Sequence, residues 1–398
     1  MIPTFILTMW LVGLLSAALV AGAITLGHEW YARSWGWDEG LRQSVFAPEI
    51  GWNETTALLA GATLLSLIAV AGGPILKMIL RLTKKSGDDP RDAAMTPTTE
   101  QRLGRPDGSE LQVKMYGLAD GPPLILTHGW GLNSDEWVYA HRDLAQHFRV
   151  IVWDLPGLGA SSRPVDRDFS LPKLAGDLEA VLSLAENRPA TLIGHSIGGM
   201  ITLTFCQLFP EALRSRVAGL VLTHTTYTNP VRTTQGAGFF TAIEKPVLVP
   251  LMFLTIALSP LIWLLNWLSY LNGSAHLLNM QTSFAGTETW EQIDFAAHFQ
   301  TQASPAVLAR GMLAMMRYDA TPTLKSITVP TLVVAGDKDN TCKPEASARM
   351  QQEIPGAQEL TLAPARHLGL IEHHARYGQA IQDFVRGSAL AKESPARG

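Results

Sequence analysis

The residues best suited to covalent chemistry lie in the segment Gly194-His195-Ser196-Ile197-Gly198. A G-x-S-x-G pattern between a strand and a helix is typical of a sharp turn that presents a serine nucleophile, and here the apolar run Thr191–Ile193 precedes it and the helical stretch Met200–Leu208 follows it. Side chains at the two glycine positions are expected to collide with neighbouring backbone. The pattern predicts Ser196 as the nucleophile of an acyl-transfer reaction; a helix-starting serine among packing glycines is the alternative.

A serine hydroxyl needs a general base, and the base needs an acid that orients it. Asp337 and Asp339 directly follow a predicted strand, and His367 comes later in the chain, which is the order that this kind of site requires. We favour Asp339 over Asp337 as the acid because it lies further into the loop beyond the strand. An earlier strand end offers His224 but no carboxylate, which strengthens the assignment to Asp339.

An acyl transfer also needs donors for the oxyanion that forms, each contributing about 3–4 kcal/mol when well placed. The apolar run Leu124–Thr127 leads into His128-Gly129-Trp130-Gly131, a loop that is expected to supply one backbone N–H. The predicted donors are the N–H groups of Trp130 and Ile197. The indole of Trp130 is expected to shape the wall of the pocket.

The elements that position these residues are short, apolar, β-rich runs that alternate with helical stretches such as Leu171–Leu184. This alternation predicts an α/β fold with a mainly parallel sheet and helices on both faces. Ligands of such sheets bind at the carboxyl ends of the strands, where the residues above are found. The predicted strands are Leu111–Tyr116, Leu124–Thr127, Val150–Trp153, Thr191–Ile193, Val217–Leu222 and Thr331–Ala335, with a further apolar run at Leu360–Ala363.

Taken together and in order, these motifs resemble the α/β-hydrolase superfamily over about Leu103 to Val385, in particular the branch containing monoacylglycerol lipases and esterases. The motifs are His128-Gly129-Trp130, Asp154-Leu155-Pro156-Gly157-Leu158-Gly159-Ala160-Ser161, the serine segment, Gly336-Asp337-Lys338-Asp339 and His367. The resemblance implies the α/β-hydrolase fold and ester hydrolysis by Ser196, His367 and Asp339 without a metal or an organic cofactor. Related epoxide hydrolases and haloalkane dehalogenases use aspartate as the nucleophile, so the serine argues against both. One departure is Arg366, where the family usually has glycine.

Two segments, Ile2–Leu26 and Ala57–Leu80, are almost wholly apolar and long enough to span a bilayer. We predict a transmembrane hairpin. A cleaved signal peptide is the rival interpretation of the first segment, because Ala21-Gly22-Ala23 resembles a cleavage site, but no basic residue precedes the apolar run. A buried core helix is the rival for the second.

Charge on the two sides of this hairpin predicts its orientation. The connecting stretch His28–Thr55 is acidic and rich in tryptophan, which suits an outer face with an interfacial aromatic belt. The acidic residues of this stretch are Glu29, Asp38, Glu39, Glu49 and Glu54, and its tryptophans are Trp30, Trp35, Trp37 and Trp52. Arg81, Lys84 and Lys85 follow the second segment, so both chain ends and the catalytic region are expected on the cytoplasmic side.

The strand pattern is interrupted between 223 and 318, which we predict to be a cap inserted over the site. Within it, Pro246–Leu271 is nearly all apolar and again long enough to span. A single crossing there would put the nucleophile and its base on opposite sides of the bilayer, which hydrogen-bonded catalysis forbids. The segment is therefore predicted to be either a lipid-dipping cap broken by Pro250 and Pro260, which we favour, or a helical pair buried over the pocket.

Composition limits the remaining possibilities. The chain of 398 residues is 47% hydrophobic, 17% charged and has a net charge of −4, so it offers no basic field for nucleic acid. Cys206 and Cys342 lie far apart and lack the spacing of a metal site or a disulfide framework, and are expected to be packed thiols.

These observations predict a membrane-anchored serine hydrolase that cleaves a lipophilic carboxylic ester, with lipophilic ester or acyl substrates and membrane lipid as its partners. A thioesterase, acyltransferase or perhydrolase would use the same residues, and a non-catalytic binding protein on the same fold is the alternative of a different class. The predicted division of the chain is a hairpin anchor at 1–85, a linker at 86–102, core parts at 103–222 and 319–387, the cap at 223–318 and a tail at 388–398.

Overall fold

The computed structural model describes residues 2–48, 51, 53–84, 87, 89–186 and 188–393. Three of the residues named above, Glu49, Trp52 and Lys85, lie outside these ranges, as do residue 86 at the start of the predicted linker and the end of the predicted tail from 394. The chain begins with two long apolar helices joined by a small antiparallel ribbon. These elements are α1 (Ile2–Arg33), β1 (Trp35–Asp38), β2 (Gln43–Phe46) and α2 (Glu54–Thr83).

Local chemistry explains where the second helix begins. The side chain of Asn53 accepts a hydrogen bond from the Thr56 N–H at 2.9 Å, while the Thr56 hydroxyl accepts one from the Asn53 N–H at 3.0 Å. This reciprocal cap satisfies two of the N–H groups that a helix start leaves without partners. α1 begins with the predicted apolar segment and runs past its end to Arg33, and α2 extends three residues beyond its predicted segment at each end.

Three helices of the described chain are long and apolar enough to cross a membrane. They are Phe5–Arg33, Glu54–Thr83 and Ala237–Ala257. The first two correspond to the predicted hairpin, and the third overlaps the apolar cap segment.

Eight strands form the central sheet, which has the order β10-β9-β8-β7-β5-β6-β4-β3. All neighbouring pairs are parallel except β3 with β4 and β4 with β6. The predicted α/β fold with a mainly parallel sheet is thus confirmed. The strands are β3 (Thr99–Gly104), β4 (Glu110–Gly117), β5 (Pro123–Thr127), β6 (Arg149–Trp153), β7 (Ala190–His195), β8 (Val217–Thr223), β9 (Thr331–Gly336) and β10 (Gln358–Leu362).

The first strand of this sheet begins inside the stretch that the sequence predicts as a linker. Thr99–Gly104 pairs with β4 along its whole length and forms one edge of the sheet. Its side chains are half-buried or exposed, and Leu103 is its one large apolar residue. An edge strand with no buried face carries no run of apolar residues, so hydrophobic pattern alone does not reveal it.

Helices cover both faces of the sheet, and a group of helices between β8 and β9 forms the cap. The core helices are α3 (Val138–Leu144), α4 (Leu171–Leu182), α5 (Ile197–Leu208), α6 (Pro210–Arg216), α13 (Pro344–Glu353), α14 (Gly369–Glu372) and α15 (His374–Glu393). The cap helices are α7 (Ala237–Ile243), α8 (Val249–Ala257), α9 (Ser259–Leu271), α10 (Ser274–Thr282), α11 (Trp290–Gln302) and α12 (Pro305–Met315).

The apolar cap segment forms two helices, α8 and α9, that meet at Leu258. Pro250 and Pro260 both occupy the first turn of their helix, where a missing N–H costs little. Pro250 therefore does not break the segment as predicted, because a one-turn π-helix at Glu244–Leu248 leads directly into α8.

The cap packs directly against the N-terminal hairpin. The indole N–H of Trp10 donates to the Thr255 hydroxyl at 2.9 Å, and Ser16 lies 3.0 Å from Ser269 through their hydroxyl oxygens. At the far end of α2, Lys84 Nζ pairs with the fully buried carboxylate of Glu288 at 2.5 Å. The hairpin and the cap are consequently one packed unit.

Large apolar side chains on the outer side of this unit are exposed. On the hairpin they include Leu11, Leu14, Leu64, Met78 and Leu82, and on α8 and α9 they include Phe253, Leu254, Leu261, Trp263 and Leu264. Exposed apolar area of this extent marks a surface that contacts lipid or another apolar partner.

Candidate active site

Ser196 stands at the turn from β7 to α5 in a strained backbone conformation. Its φ is +55° and its ψ is −116°, which only a tight local structure maintains for a residue with a side chain. A Cβ on Gly198 would overlap the carbonyl of Thr127, and a Cβ on Gly194 would overlap the backbone of Gly198 itself. Both glycines are therefore required by close backbone approach, which lets the serine sit at the carboxyl end of the central strands.

The structure brings the predicted base and acid to this serine. His367 Nε2 lies 3.1 Å from Ser196 Oγ, and His367 Nδ1 lies 2.8 Å from Asp339 Oδ2. The other carboxylate oxygen of Asp339 accepts hydrogen bonds from the N–H groups of Thr341 and Cys342 at 2.8 and 3.0 Å. The acid is thus held by its own loop and aimed at the imidazole.

Asp337, the alternative acid, has a different position. Its carboxylate accepts a hydrogen bond from the Ala365 N–H at 2.8 Å, so it ties its own loop to the loop that carries His367. His224, at the earlier strand end, is fully buried with Nδ1 3.5 Å from Asp339 Oδ2. The imidazole of His224 therefore approaches the same carboxylate oxygen as His367, and the centroids of the two rings lie 6.1 Å apart.

Electrostatics keep the base neutral and the acid ionised. Burial lowers the pKa of His367, and the attraction of Asp339 only partly offsets this, so that the pKa falls to about 4. Burial alone raises the pKa of Asp339, but the imidazoles of His367 and His224 overcome it and hold that pKa well below its usual range. At neutral pH, His367 is therefore able to accept the proton of Ser196.

The loop after β5 and the start of α5 both border the serine. Gly129, Trp130 and Ser196 line one cavity, and the N–H of Ile197 is the first of α5, where a helix has no internal acceptor for it. Both ring nitrogens of His128 are used within this region: Nε2 accepts from the Leu155 N–H at 2.9 Å and Nδ1 lies 2.8 Å from the Gly129 carbonyl oxygen.

The indole of Trp130 extends away from the serine into the cap. Its N–H donates to the Leu308 carbonyl at 3.0 Å, and a Cβ on Gly311 would overlap the ring. Trp130 thereby joins the loop after β5 to α12, in addition to lining the cavity.

A buried carboxylate that the sequence analysis did not single out connects three loops of the site. Glu136 Oε2 accepts a hydrogen bond from the Gly129 N–H at 2.8 Å, and its Oε1 pairs with Nδ1 of His195. The other nitrogen of His195 lies 3.0 Å from the backbone oxygen of His367 and donates to it, since a carbonyl only accepts. The one available signal in the sequence was an acidic residue seven positions after Gly129, in the loop predicted to supply an oxyanion donor.

The cavity at the serine is about 110 Å³ and has apolar walls from distant parts of the chain. The first turns of α1 contribute Phe5 and Thr8, which the sequence analysis had assigned only to an anchor. The cap contributes the remaining apolar wall, including Leu278, Phe299 and Leu308. Among the residues that the structure describes, no group of three or more His, Cys, Asp or Glu side chains is placed to hold a metal ion.

Comparison with known families finds one that covers most of the hydrolase-like region. A family model described as the alpha/beta hydrolase fold matches residues 122–246 and 271–374. The gap between the two matches corresponds to α8 and most of α9. The exposed apolar pair of helices therefore lies almost wholly outside the part of the chain that the family model matches.

Individual proteins agree with this match. A pimeloyl-[acyl-carrier protein] methyl ester esterase from Aeromonas salmonicida is 25% identical over 283 residues, which cover 69% of this chain and 100% of that protein. Among solved structures, a thermophilic esterase from Thermogutta terrifontis is 25% identical with a TM-score of 0.60, covering 73% of this chain and 99% of its own. A membrane phospholipase A is similar in fold, at 21% identity and a TM-score of 0.59, covering 84% of this chain and 96% of its own.

Proposed function

The chain belongs to the α/β-hydrolase fold family, and from that membership we propose that it is a serine hydrolase that cleaves lipophilic carboxylic esters through an acyl-enzyme on Ser196. An ester-cleaving hydrolase is the enzyme class that its relatives support. The observation that carries the proposal is the aligned series of Ser196, His367 and Asp339, with 3.1 Å and 2.8 Å between successive polar atoms.

In the proposed reaction, His367 Nε2 accepts the proton of Ser196 Oγ as that oxygen attacks the carbonyl carbon of the ester. The carbonyl oxygen becomes an oxyanion, whose stabilisation we assign to the N–H groups of Trp130 and Ile197. Collapse of this intermediate expels the alcohol, which takes the proton from His367, and leaves the acyl group on Ser196. Water then attacks with His367 again as base, and the carboxylic acid is released.

Two features support a lipophilic substrate. The wall of the cavity is built largely from apolar side chains, among them Phe5, Leu278 and Phe299. The exposed apolar faces of α8 and α9 lie in the part of the cap that the family model does not match. A largely apolar wall favours the hydrocarbon part of a substrate, because its burial requires little desolvation of polar groups.

We further propose that α1 and α2 anchor the protein in a bilayer, with both chain ends and the hydrolase part on the cytoplasmic side. Their length and apolar composition support this, as do the basic residues Arg81 and Lys84 at the end of α2. At the opposite end, Trp30 and Trp35 both pack against Phe46, with ring centroids 5.8 and 5.6 Å apart, an aromatic cluster that suits the interface. In this proposal, 1–85 is the anchor and 223–318 is the cap of a core formed by 103–222 and 319–387.

The test of the proposed nucleophile is covalent labelling with a fluorophosphonate in membranes that contain the full chain. We expect the wild type to be labelled and Ser196→Ala to be unlabelled and inactive on a long-chain ester. Ser215→Ala is the matched control, because that serine lies exposed on α6, and it should be labelled like the wild type. Labelling of Ser196→Ala at the level of the wild type would refute the assignment.

A second assay separates hydrolysis from transfer. The products formed from one acyl ester are measured in water alone and with a competing alcohol, a thiol or hydrogen peroxide. Free acid as the main product in every case is the expected outcome, whereas dominant transfer to an acceptor would overturn ester hydrolysis as the natural reaction.

A further inference from the structure

Four arginine side chains converge on a groove that is separate from the cavity at Ser196. Two adjoining cavities of about 680 and 480 Å³ share Arg167, Phe169, Ile256 and Arg310 in their walls, and neither shares a lining residue with the cavity at the serine. Arg317 lines the first cavity and Arg163 the second. We call the surface formed by Arg163, Arg167, Arg310 and Arg317 the arginine groove.

The positive charge of the arginine groove is not neutralised by the protein where the structure describes it. Many other arginines are paired with a carboxylate, for example Arg105 with Asp177 at 2.8 Å, Arg149 with Glu186 at 2.9 Å and Arg216 with Glu179 at 2.7 Å. None of the four arginines of the groove has a carboxylate oxygen within 4.0 Å among the described residues. Burial and the charges of Arg167 and Arg163 instead lower the pKa of Arg310.

Two carboxylates do border the groove, but local hydrogen bonds hold them. Asp168 accepts from the N–H and the hydroxyl of Ser170, at 2.8 and 3.0 Å. Asp319 accepts from the N–H and the hydroxyl of Thr321, at 3.1 and 2.6 Å. Arginine side chains gathered without a carboxylate in direct contact repel one another, so a bound anion would relieve a repulsion that the folded chain leaves in place.

The other wall of the groove is apolar and continues into the exposed face of the cap. Phe253 and Ile256 of α8 line it, and 59% of Phe253 is exposed. The same helix carries the exposed side chains of Leu254 and, at its end, Leu258. A ligand that matches both walls must combine an anion with hydrocarbon, and it must do so at the border of the surface that faces lipid.

We propose that the arginine groove binds the phosphate of an anionic phospholipid, whose acyl chains lie against α8. Guanidinium groups bind phosphate oxygens in pairs of hydrogen bonds, which favours arginine over lysine at such a position. The bound lipid would orient the cap on an anionic leaflet. This site is independent of the acyl chemistry at Ser196, because it involves none of those residues.

The test measures lipid retention by the full chain in a mild detergent, with phosphatidylglycerol and phosphatidylcholine as the probes and native mass spectrometry as the readout. The wild type should retain phosphatidylglycerol preferentially, and the double variant Arg167→Gln, Arg310→Gln should lose about 30-fold in that preference, as expected for two basic residues at an anionic lipid. The control pair Arg102→Gln, Arg214→Gln removes the same charge from exposed ion pairs and should retain the preference.

Several results would overturn the proposal. They are equal retention of the two lipids by the wild type, an unchanged preference in the double variant, or complete loss of the preference when millimolar inorganic phosphate is added, which would indicate a site for phosphate alone. If the double variant loses turnover of an ester carried on acyl carrier protein while its lipid retention is unchanged, the groove is a docking surface for a protein instead. The double variant should hydrolyse a short soluble ester at the rate of the wild type and have the same melting temperature. The lipid-binding measurement is repeated in Ser196→Ala, so that its result does not depend on the proposed catalysis.

Discussion

Replacing Glu136 with alanine is expected to slow catalysis strongly although this carboxylate does not touch the cavity at the serine. Glu136 accepts from the Gly129 N–H at 2.8 Å and pairs with His195, whose other nitrogen bonds the backbone oxygen of His367. One side chain therefore ties together the loop of the proposed oxyanion donor, the turn of the nucleophile and the loop of the base. The substitution releases all three.

The size of the effect follows from the groups left without a partner. A buried N–H or imidazole that loses its hydrogen bond costs about 1–3 kcal/mol, so Glu136→Ala should lower the free energy of unfolding by that order. The Gly129 N–H that would lose its partner adjoins Trp130, and complete loss of one oxyanion donor reduces kcat by about 10²–10³. Because the donor is displaced and not removed, we expect kcat to fall about 10- to 100-fold while KM for a short soluble ester changes less than about twofold.

The assay is steady-state hydrolysis of that soluble ester, with the concentration of active sites determined by fluorophosphonate titration so that unfolded protein does not count. Glu136→Gln retains one acceptor and adds one donor, so it should recover most of the lost kcat. Asp135→Asn is the matched control, since this neighbouring carboxylate is exposed and pairs only with Lys114. A kcat per active site in Glu136→Ala equal to that of the wild type, or a loss confined to KM, would refute the reasoning.

Two further predictions concern the base and the wall of the cavity. Because the pKa of His367 is about 4 and only its neutral form accepts a proton, kcat/KM should stay level as the pH falls from 7 to 5 and decline near pH 4. The measurement is kcat/KM over a series of pH values at which the protein is shown to remain folded, and a decline centred near pH 6.5 would contradict the prediction. Phe5→Trp should fill part of the cavity and reduce kcat/KM for long-chain p-nitrophenyl esters about tenfold, with little change for p-nitrophenyl acetate. Leu11→Trp, on the exposed face of the same helix, should change neither value. Equal losses for all chain lengths would show that α1 does not contact the acyl chain.

Most of the parallel strands were predictable because each is buried on both faces and therefore appears as a continuous apolar run. The structure extends six of the predicted runs by one to three residues, places the last strand at Gln358–Leu362 and confirms the fold class. β3 was missed because it lies at an edge, where neither face demands apolar residues. The strands of the small ribbon, β1 and β2, were missed for a similar reason, since their side chains are exposed or half-buried in the stretch predicted to connect two membrane segments.

The sequence by itself determined the turn at Ser196 and the order in which His367 follows it, because a sharp turn needs glycine at fixed spacing and this dependence is local. The sequence favours Asp339 over Asp337, but only the tertiary structure shows which of these two carboxylates on one loop lies beside His367. The same holds for Glu136 and Phe5. Their roles depend on contacts with residues far away in the chain, and such contacts arise only when the helices, the cap and the sheet pack together and decide which side chains share a cavity.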